Sequence, residues 1–417
     1  MQGDVSRQDL RVLIVSENAS SEFGGEAMLP LNYFMLLSEK NIECYLLTHE
    51  RVKASLQLMK NLKHENIFYF YDTKLGVLIY RFGSFLPERI FFATVGFIHN
   101  LIEQFQMRFF ARKILKSKKI SLIHQPMPVS PKYPSIMFGL SAPVVIGPMN
   151  GGMYFPAAFN QMASRAERYL YFILRPLSSL INVIFPGKLF ANLLLVANQR
   201  TADALPLLRF GKVATLAENG VFSKAISTTN KEIKKLSDTI NIIFVGRMVD
   251  WKAIDIVIDA VHQCKLPNLK LMLIGDGSER PKLEQKVKDL NATNITFYGR
   301  VPFSEVNQYY DKADIFALPS IRECGGAVVL EAMSRGLPVI ATNWGGPADY
   351  LTPETGILIE PLSREYMVAE FAKHIAALAQ NKERRVNLGQ AAKLRVKNNF
   401  LWESKIDQMI ELYQSVI

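Results

Sequence analysis

The sequence predicts an α/β protein of two Rossmann-like domains, each a doubly wound parallel sheet, with a ligand cleft between them. Three observations predict it. Short apolar runs alternate with amphipathic helical patterns along the whole chain. The runs are apolar throughout, not at every second residue, as strands covered on both faces require. A polar stretch, Ser223–Thr239, splits the series into two. Strands separated by helix-length segments imply right-handed βαβ units. Open sheets of that kind bind ligands beyond the carboxyl ends of their strands.

In the first series the strand-like runs lie at 11–16 (RVLIVS), 43–48 (ECYLLT), 121–125 (SLIHQ), 143–147 (PVVIG) and 193–198 (LLLVAN). In the second they lie at 241–246, 269–275, 295–299, 314–320, 338–342 and 356–360. Ile254, Val257, Ile258 and Val261 recur at helical spacing after the first strand of the second series. Trp402, Ile406, Met409, Ile410 and Tyr413 mark a closing helix. The expected division is 1–220 for an acceptor-binding domain, 221–395 for a nucleotide-sugar domain, and 396–417 for a helix crossing back to the first.

A chain of 417 residues, 49% apolar and 21% charged, is enough for two or three domains with a sizeable core. Its formal charge of +11 favours an anionic partner: nucleic acid, a phosphorylated substrate or an anionic membrane. Three dispersed cysteines, Cys44, Cys264 and Cys324, suggest neither a disulfide framework nor a zinc site, and fit a reducing compartment. The start is not a signal peptide: Val12–Val15 is its whole apolar run and Glu17 follows. No uncharged apolar stretch reaches the roughly 20 residues of a membrane span. The expectation is a cytoplasmic protein.

The chemistry is expected on loops that follow strands. GRMVDWK brings Arg247 and Lys252 to one strand end beside Gly246 and a helix start. Two cations there suit a diphosphate; read alone, such a pair is more often two surface charges on a loop. IGDG, with Gly275, is a Gly-rich strand-to-helix turn, which by itself fits an ordinary connection as well as a ligand site. RECGGAVVLEAM carries Glu323 at a strand mouth and Glu331 about two turns inside the next helix. The carboxylates lie up to roughly 12 Å apart at the helical rise, beyond the roughly 5 Å of a retaining glycosidase pair. They would grip different parts of one long ligand. Glu331 sits in an apolar run and needs a partner; a ribose diol would serve.

Glu-x7-Glu, followed by SRGLPVIATNWGG and preceded by VGRMVDWK and IGDG, resembles the retaining nucleotide-sugar glycosyltransferases of family 4, with the GT-B fold. The order and spacing match over the C-terminal half. The resemblance implies that Arg247 and Lys252 hold the donor diphosphate, with Gly246 and Gly275 beside it. It implies that Glu323 lies by the donor sugar and Glu331 on the ribose. Backbone of Gly325, Gly326, Ala327 and Val328 would hold sugar and phosphate, and Arg300 and Val301 would border the base. One departure is Ala253, where the family usually has glycine; Cys324, often Phe in the family, is another.

The first half matches more loosely. Gly24 and Gly25 open a helix after the first strand and are expected to face donor and acceptor. His124 is the match to a sugar-contacting histidine, although a lone strand-end histidine is more often structural. Asn150, Gly151 and Gly152 lie on a strand-end loop where an acceptor is expected. Segments 77–119 and 164–190 mix basic, aromatic and apolar residues and suit a headgroup layer. The alternative is core helices with snorkelling cations.

The expected activity is transfer of a sugar from a nucleotide diphosphate to a hydroxyl acceptor with retained configuration. The chain has no D-x-D, so no metal or cofactor is expected. The acceptor class expected is lipid-linked glycan, exopolysaccharide or glycolipid, with contact at the inner face of a membrane. The rivals are a sugar-nucleotide epimerase of similar fold, a soluble acceptor, and a non-catalytic sugar-nucleotide binder. Nucleic-acid binding would use the charge and none of the motifs.

Overall fold

The computed structural model describes residues 9–20, 22–86, 90–91, 94–162, 177–226 and 239–417. Within it the chain divides into two compact units. The first comprises Met1–Gly152, Arg165–Glu218 and Lys405–Ile417; the second comprises Met153–Ser164 and Asn219–Ser404.

The first unit is built on a seven-stranded sheet in the order β3-β2-β1-β4-β5-β6-β7. Its strands are β1 (Arg11–Val15), β2 (Glu43–His49), β3 (Ile67–Phe70), β4 (Leu122–Gln125), β5 (Val144–Met149), β6 (Leu193–Val196) and β7 (Lys212–Thr215). All pairings are parallel. Val12–Val15, Leu46, Leu47, Ile123, Val145 and Leu194 are buried, so the apolar runs do form strands covered on both faces. The two edge strands, β3 and β7, are absent from the sequence-based expectation. In β7 the run KVAT is largely exposed and lacks the continuous apolar signal of a central strand. Helix α1 (Gly25–Glu39) follows β1, α2 (Lys74–Gly83) follows β3, and α3 (Val95–Ser117) leads into β4. Met107, Ala111 and Ile114 anchor α3 in the core under the sheet.

The second unit has a six-stranded parallel sheet in the order β10-β9-β8-β11-β12-β13. The strands are β8 (Ile240–Val245), β9 (Leu269–Ile274), β10 (Ile295–Gly299), β11 (Ile315–Leu318), β12 (Val339–Thr342) and β13 (Gly356–Ile359). Each matches an expected run to within about two residues. Helix α4 (Ile254–Cys264) buries Ile254, Val257, Ile258 and Val261, the stripe its spacing predicts. Helices α5 (Ala327–Ser334), α6 (Arg364–Gln380) and α7 (Lys382–Asn399) complete the cover, with α7 packed on α5 and α6 on α4. That packing keeps residues 396–404 in the second unit, so the return to the first begins at Lys405 rather than at 396. The last helix, α8 (Trp402–Gln414), buries Trp402, Ile406, Met409, Ile410 and Tyr413.

Candidate active site

Three strand-end loops of the second unit are laced through backbone. After β8, Gly246 N–H donates to the Ile274 carbonyl at 3.0 Å, and Gly275 N–H donates to the Gly299 carbonyl at 2.8 Å. The approach is close enough that a Cβ on Gly275 would lie 1.9 Å from the Gly246 oxygen. The turn glycine is therefore required by packing, which accounts for IGDG without a ligand.

The loop after Gly246 makes a 3₁₀ turn, Asp250–Lys252, opened by Asp250 Oδ1 accepting from the Trp251 N–H at 2.8 Å. Ala253 then adopts the left-handed conformation, φ 49° and ψ 39°, before α4 begins. Trp251 O accepts from Ile321 N–H at 3.0 Å, tying this turn to the loop after β11. The two loops meet again in an ion pair between Lys252 Nζ and Glu323, whose side chains are only 13% and 14% exposed. Arg247 is exposed, with its guanidinium 6.0 Å from the centre of the Trp251 ring.

Behind Glu323 the chain turns at Gly326, φ 66°, and α5 begins. Gly345 and Gly346 seat this turn. Gly346 N–H donates to the Glu323 carbonyl at 2.8 Å, and a Cβ on Gly345 would fall 2.1 Å from that same oxygen. Both glycines belong to the NWGG of the recognised stretch, yet nothing in their spacing marks them as supports. In the first turn of α5 Val329 N–H donates to the Gly326 carbonyl at 2.9 Å, which leaves the N–H groups of Ala327 and Val328 as the ones without an acceptor in the helix. They form an anion-favouring end beside the Lys252–Glu323 pair.

Glu331 lies in α5 and is half-buried, as its apolar surroundings predict. Its partner comes from within the chain. Tyr310 Oη donates to Glu331 Oε2 at 2.9 Å, and Tyr310 is fully buried. Burial raises the Glu331 carboxyl above its ordinary range, and the tyrosine hydrogen bond opposes that rise. Tyr310 carries no sequence signal. Arg300 is exposed after β10, and Val301 packs partly against the core. The described structure thus brings Gly246, Lys252, Glu323 and the Gly325–Val328 turn together at the carboxyl edge of the second sheet.

In the first unit the expected ligand residues divide. Gly24, φ 91°, and Gly25 open α1 with exposed backbone. His124 does not present a free edge. It is fully buried, with Nε2 2.6 Å from the Gly147 carbonyl and Nδ1 2.7 Å from Tyr413 Oη. A carbonyl only accepts, so Nε2 carries the proton and Nδ1 accepts from the tyrosine. Burial drives its pKa down to about 4. The expected sugar contact is corrected to a structural histidine, because both ring nitrogens are spent inside the fold. Asn150 is likewise buried, donating to Glu218 Oε2 at 2.8 Å. Gly151 N–H donates to Thr201 Oγ1 at 3.1 Å, and Gly152, φ 72°, has room for no Cβ beside Ala204. This loop is packed within its own unit rather than offered to an acceptor.

Of the residues expected at a membrane surface, Arg89, Phe92, Arg165, Arg168, Tyr171, Phe172 and Arg175 lie outside the described residues. Those described include a large exposed apolar set. Phe82 and Phe85, in and just after α2, are 70% and 77% exposed. Ile98, Phe105 and Phe109 on α3 are also exposed, as are Leu180 and Ile184 in the helical residues 177–184. Among the described residues no helix is long and apolar enough to cross a membrane.

Known proteins resemble this chain in sequence and in fold. Residues 226–395 match the family described as glycosyl transferases group 1. A GDP-mannose-dependent monoacylated alpha-(1-6)-phosphatidylinositol monomannoside mannosyltransferase of Corynebacterium glutamicum is 29% identical over 198 residues, 45% of this chain and 51% of that protein. The chain thus spans about half the length of the curated relatives it matches. Among solved structures, Anabaena Alr3699/HepE in complex with UDP and glucose superposes with a TM-score of 0.65 at 18% identity, over 97% of this chain and 100% of that one. Sucrose-phosphate synthase from Thermosynechococcus elongatus does so with a TM-score of 0.70 at 19% identity, over 97% and 98%. The two parallel-sheet units have the fold of the GT-B glycosyltransferases, and the second unit carries the match to the glycosyl transferases group 1 family over residues 226–395.

Proposed function

We propose that the protein transfers a sugar from a nucleotide diphosphate donor to a hydroxyl acceptor, retaining the anomeric configuration. The observation that carries this is the Lys252–Glu323 pair, held by two laced loops beside the start of α5. Departure of a nucleoside diphosphate leaves negative charge on the β-phosphate. Lys252, Arg247 and the helix start supply fixed positive charge for it, the preorganised stabilisation that lowers a barrier most. In this reading Glu323, paired with Lys252, accepts a hydrogen bond from a sugar hydroxyl, and Glu331 accepts one from a ribose hydroxyl. With that charge supplied by side chains, we expect no metal. A retaining course fits front-face attack, in which the leaving phosphate takes the acceptor proton. A lipid-linked acceptor is favoured by the exposed apolar residues of α2 and α3, and by the phosphatidylinositol monomannoside substrate in the name of the Corynebacterium relative.

The test is nucleotide and nucleotide-sugar binding, read by thermal shift with and without chelator, in wild type, Lys252→Ala and Arg247→Ala. A charge-assisted contact contributes about 1.5–3 kcal/mol, so each variant should bind donor about 10- to 150-fold more weakly. Unchanged affinity in both variants, or wild-type binding abolished by chelator, would count against this reading.

A further inference from the structure

A second polar cluster, unrelated to the recognised motifs, lies at the carboxyl edge of the first sheet. His49 ends β2, Asp72 follows β3, Glu17 follows β1, and Asn100 and Glu103 project from α3. His49 Nε2 lies 3.3 Å from Asp72 Oδ1 and 4.0 Å from Glu103 Oε1. His99 lies 3.9 Å from each of the same two carboxylates. Arg51 rests against Glu103, and Asn100 donates to Glu17. His49 is 1% exposed, yet its Nε2 makes no hydrogen bond of acceptable geometry. An orphaned buried donor of this kind calls for an occupant. Tyr80, half-exposed, closes one side with its ring 5.5 Å from that of His99.

The spacing of His49, Asp72 and Glu103 also suits a metal ion. Two features argue otherwise. His49 Nδ1 accepts from the Arg51 N–H at 3.0 Å, so the neutral ring carries its proton on Nε2, the atom a metal would need bare. The Arg51 guanidinium also occupies the cluster and repels a cation. What remains is a set in which N–H donors, His49 Nε2 and Arg51, alternate with carboxylate acceptors, Asp72 and Glu103. A vicinal diol matches that alternation, since each hydroxyl donates once and accepts once. Three carboxylates around the cluster disfavour a phosphate or carboxylate ligand.

We propose that His49, Asp72, His99 and Glu103 form a recognition site for the hydroxyls of an uncharged sugar or polyol, the head of the acceptor. The identification of that sugar as acceptor rests on the glycosyltransferase reading; the site itself does not. Asp72 forms the accessible lip, with a side chain 43% exposed, so Asp72→Asn tests the site with the fold intact.

The experiment uses saturation-transfer NMR on the full chain with methyl α-mannopyranoside, methyl α-glucopyranoside and glucose 6-phosphate. UDP and GDP binding are measured in parallel, and manganese binding is followed by EPR. Wild type should bind at least one neutral glycoside and not the phosphorylated sugar by way of the cluster. Asp72→Asn and His99→Gln should each weaken glycoside binding at least tenfold and leave nucleotide binding unchanged. Equal glycoside binding in both variants, or none in the wild type, overturns the proposal. So does manganese binding that Asp72→Asn abolishes, which would make the cluster a metal site. Nucleotide binding without glycoside binding rejects the site alone. Glycoside binding without any nucleotide binding rejects the transferase reading alone.

Discussion

Replacing His124 separates a structural histidine from a sugar-contacting one. His124→Ala removes a fully buried ring packed edge-on against Tyr33 at 4.8 Å and Tyr413 at 5.6 Å. It also deprives the Tyr413 hydroxyl and the Gly147 carbonyl of their hydrogen bonds to the ring. Leaving a buried polar group unsatisfied costs about 1–3 kcal/mol, and the cavity adds to it. The expected loss is about 3–5 kcal/mol in all. The pH dependence gives a sharper signature. The ring's pKa is lowered from 6.5 to about 4, so the unfolded chain takes up this proton first as pH falls. The neutral ring's contribution is present above pH 6.5 and is lost progressively as pH falls towards 4. From linkage, about 2 kcal/mol of it should be gone at pH 5 relative to pH 7. His124→Phe carries no such proton, so the gap between wild type and variant should narrow by that amount. The assay is urea unfolding of both proteins at pH 7 and pH 5, with UDP and GDP affinity measured alongside. Both variants should keep nucleotide affinity, because Arg247, Lys252 and Glu323 belong to the other unit. A variant of wild-type stability whose turnover collapses would refute the reasoning and restore the ring to the substrate.

Three further outcomes follow from particular contacts. Glu331→Gln should raise the donor dissociation constant about 10- to 150-fold, as loss of a charge-assisted hydrogen bond implies. Tyr310→Phe should cost about 1 kcal/mol of stability and weaken donor binding less; if Glu331→Gln merely unfolds the protein, Glu331 is structural. Ala253→Gly should stabilise the second unit by about 1 kcal/mol, since a left-handed residue with a Cβ is strained by about that much; a lower urea midpoint in the variant would contradict the observed turn. The protein should co-sediment with anionic vesicles more at low salt than at high salt, because each nearby Lys or Arg contributes about 1 kcal/mol within a Debye length. Phe82→Ser with Phe85→Ser should remove the salt-resistant remainder; wild type left in the supernatant with both anionic and neutral vesicles would favour a soluble acceptor.

What the sequence reveals here depends on whether a residue's role is local. A strand buried on both faces announces itself, as Val12–Val15 and Ile242–Val245 do, because every neighbour is apolar. An edge strand such as Lys212–Thr215 does not, since half its environment is solvent. The closing stripe from Trp402 to Tyr413 shows in its spacing because one face of a single helix is buried along its length. In the second unit, Lys252 and Glu323 stand out because each sits in a short motif of fixed order, and folding brings those motifs together. Ala253 is readable in the same way: it departs from glycine, and its φ of 49° shows what the glycine would be for. Roles made by topology alone leave no such trace. Tyr310 reaches Glu331 from another helix.

The structural role of His124 is hidden from the sequence for the same reason. Its strand-end position resembles a site, but the Tyr413 that occupies its Nδ1 lies 289 residues away. The cluster of His49, Asp72 and Glu103 is the limiting case. Its members come from the ends of two strands and from a helix, with no shared motif and no regular interval. A parallel sheet gathers the ends of successive strands along one edge, whatever the sequence distance between them. Polar residues just past strand ends are therefore candidates for one site even when nothing else connects them. The informative ones are those whose polar atoms are left without a hydrogen bond of good geometry after folding, as His49 Nε2 is and the His124 ring is not.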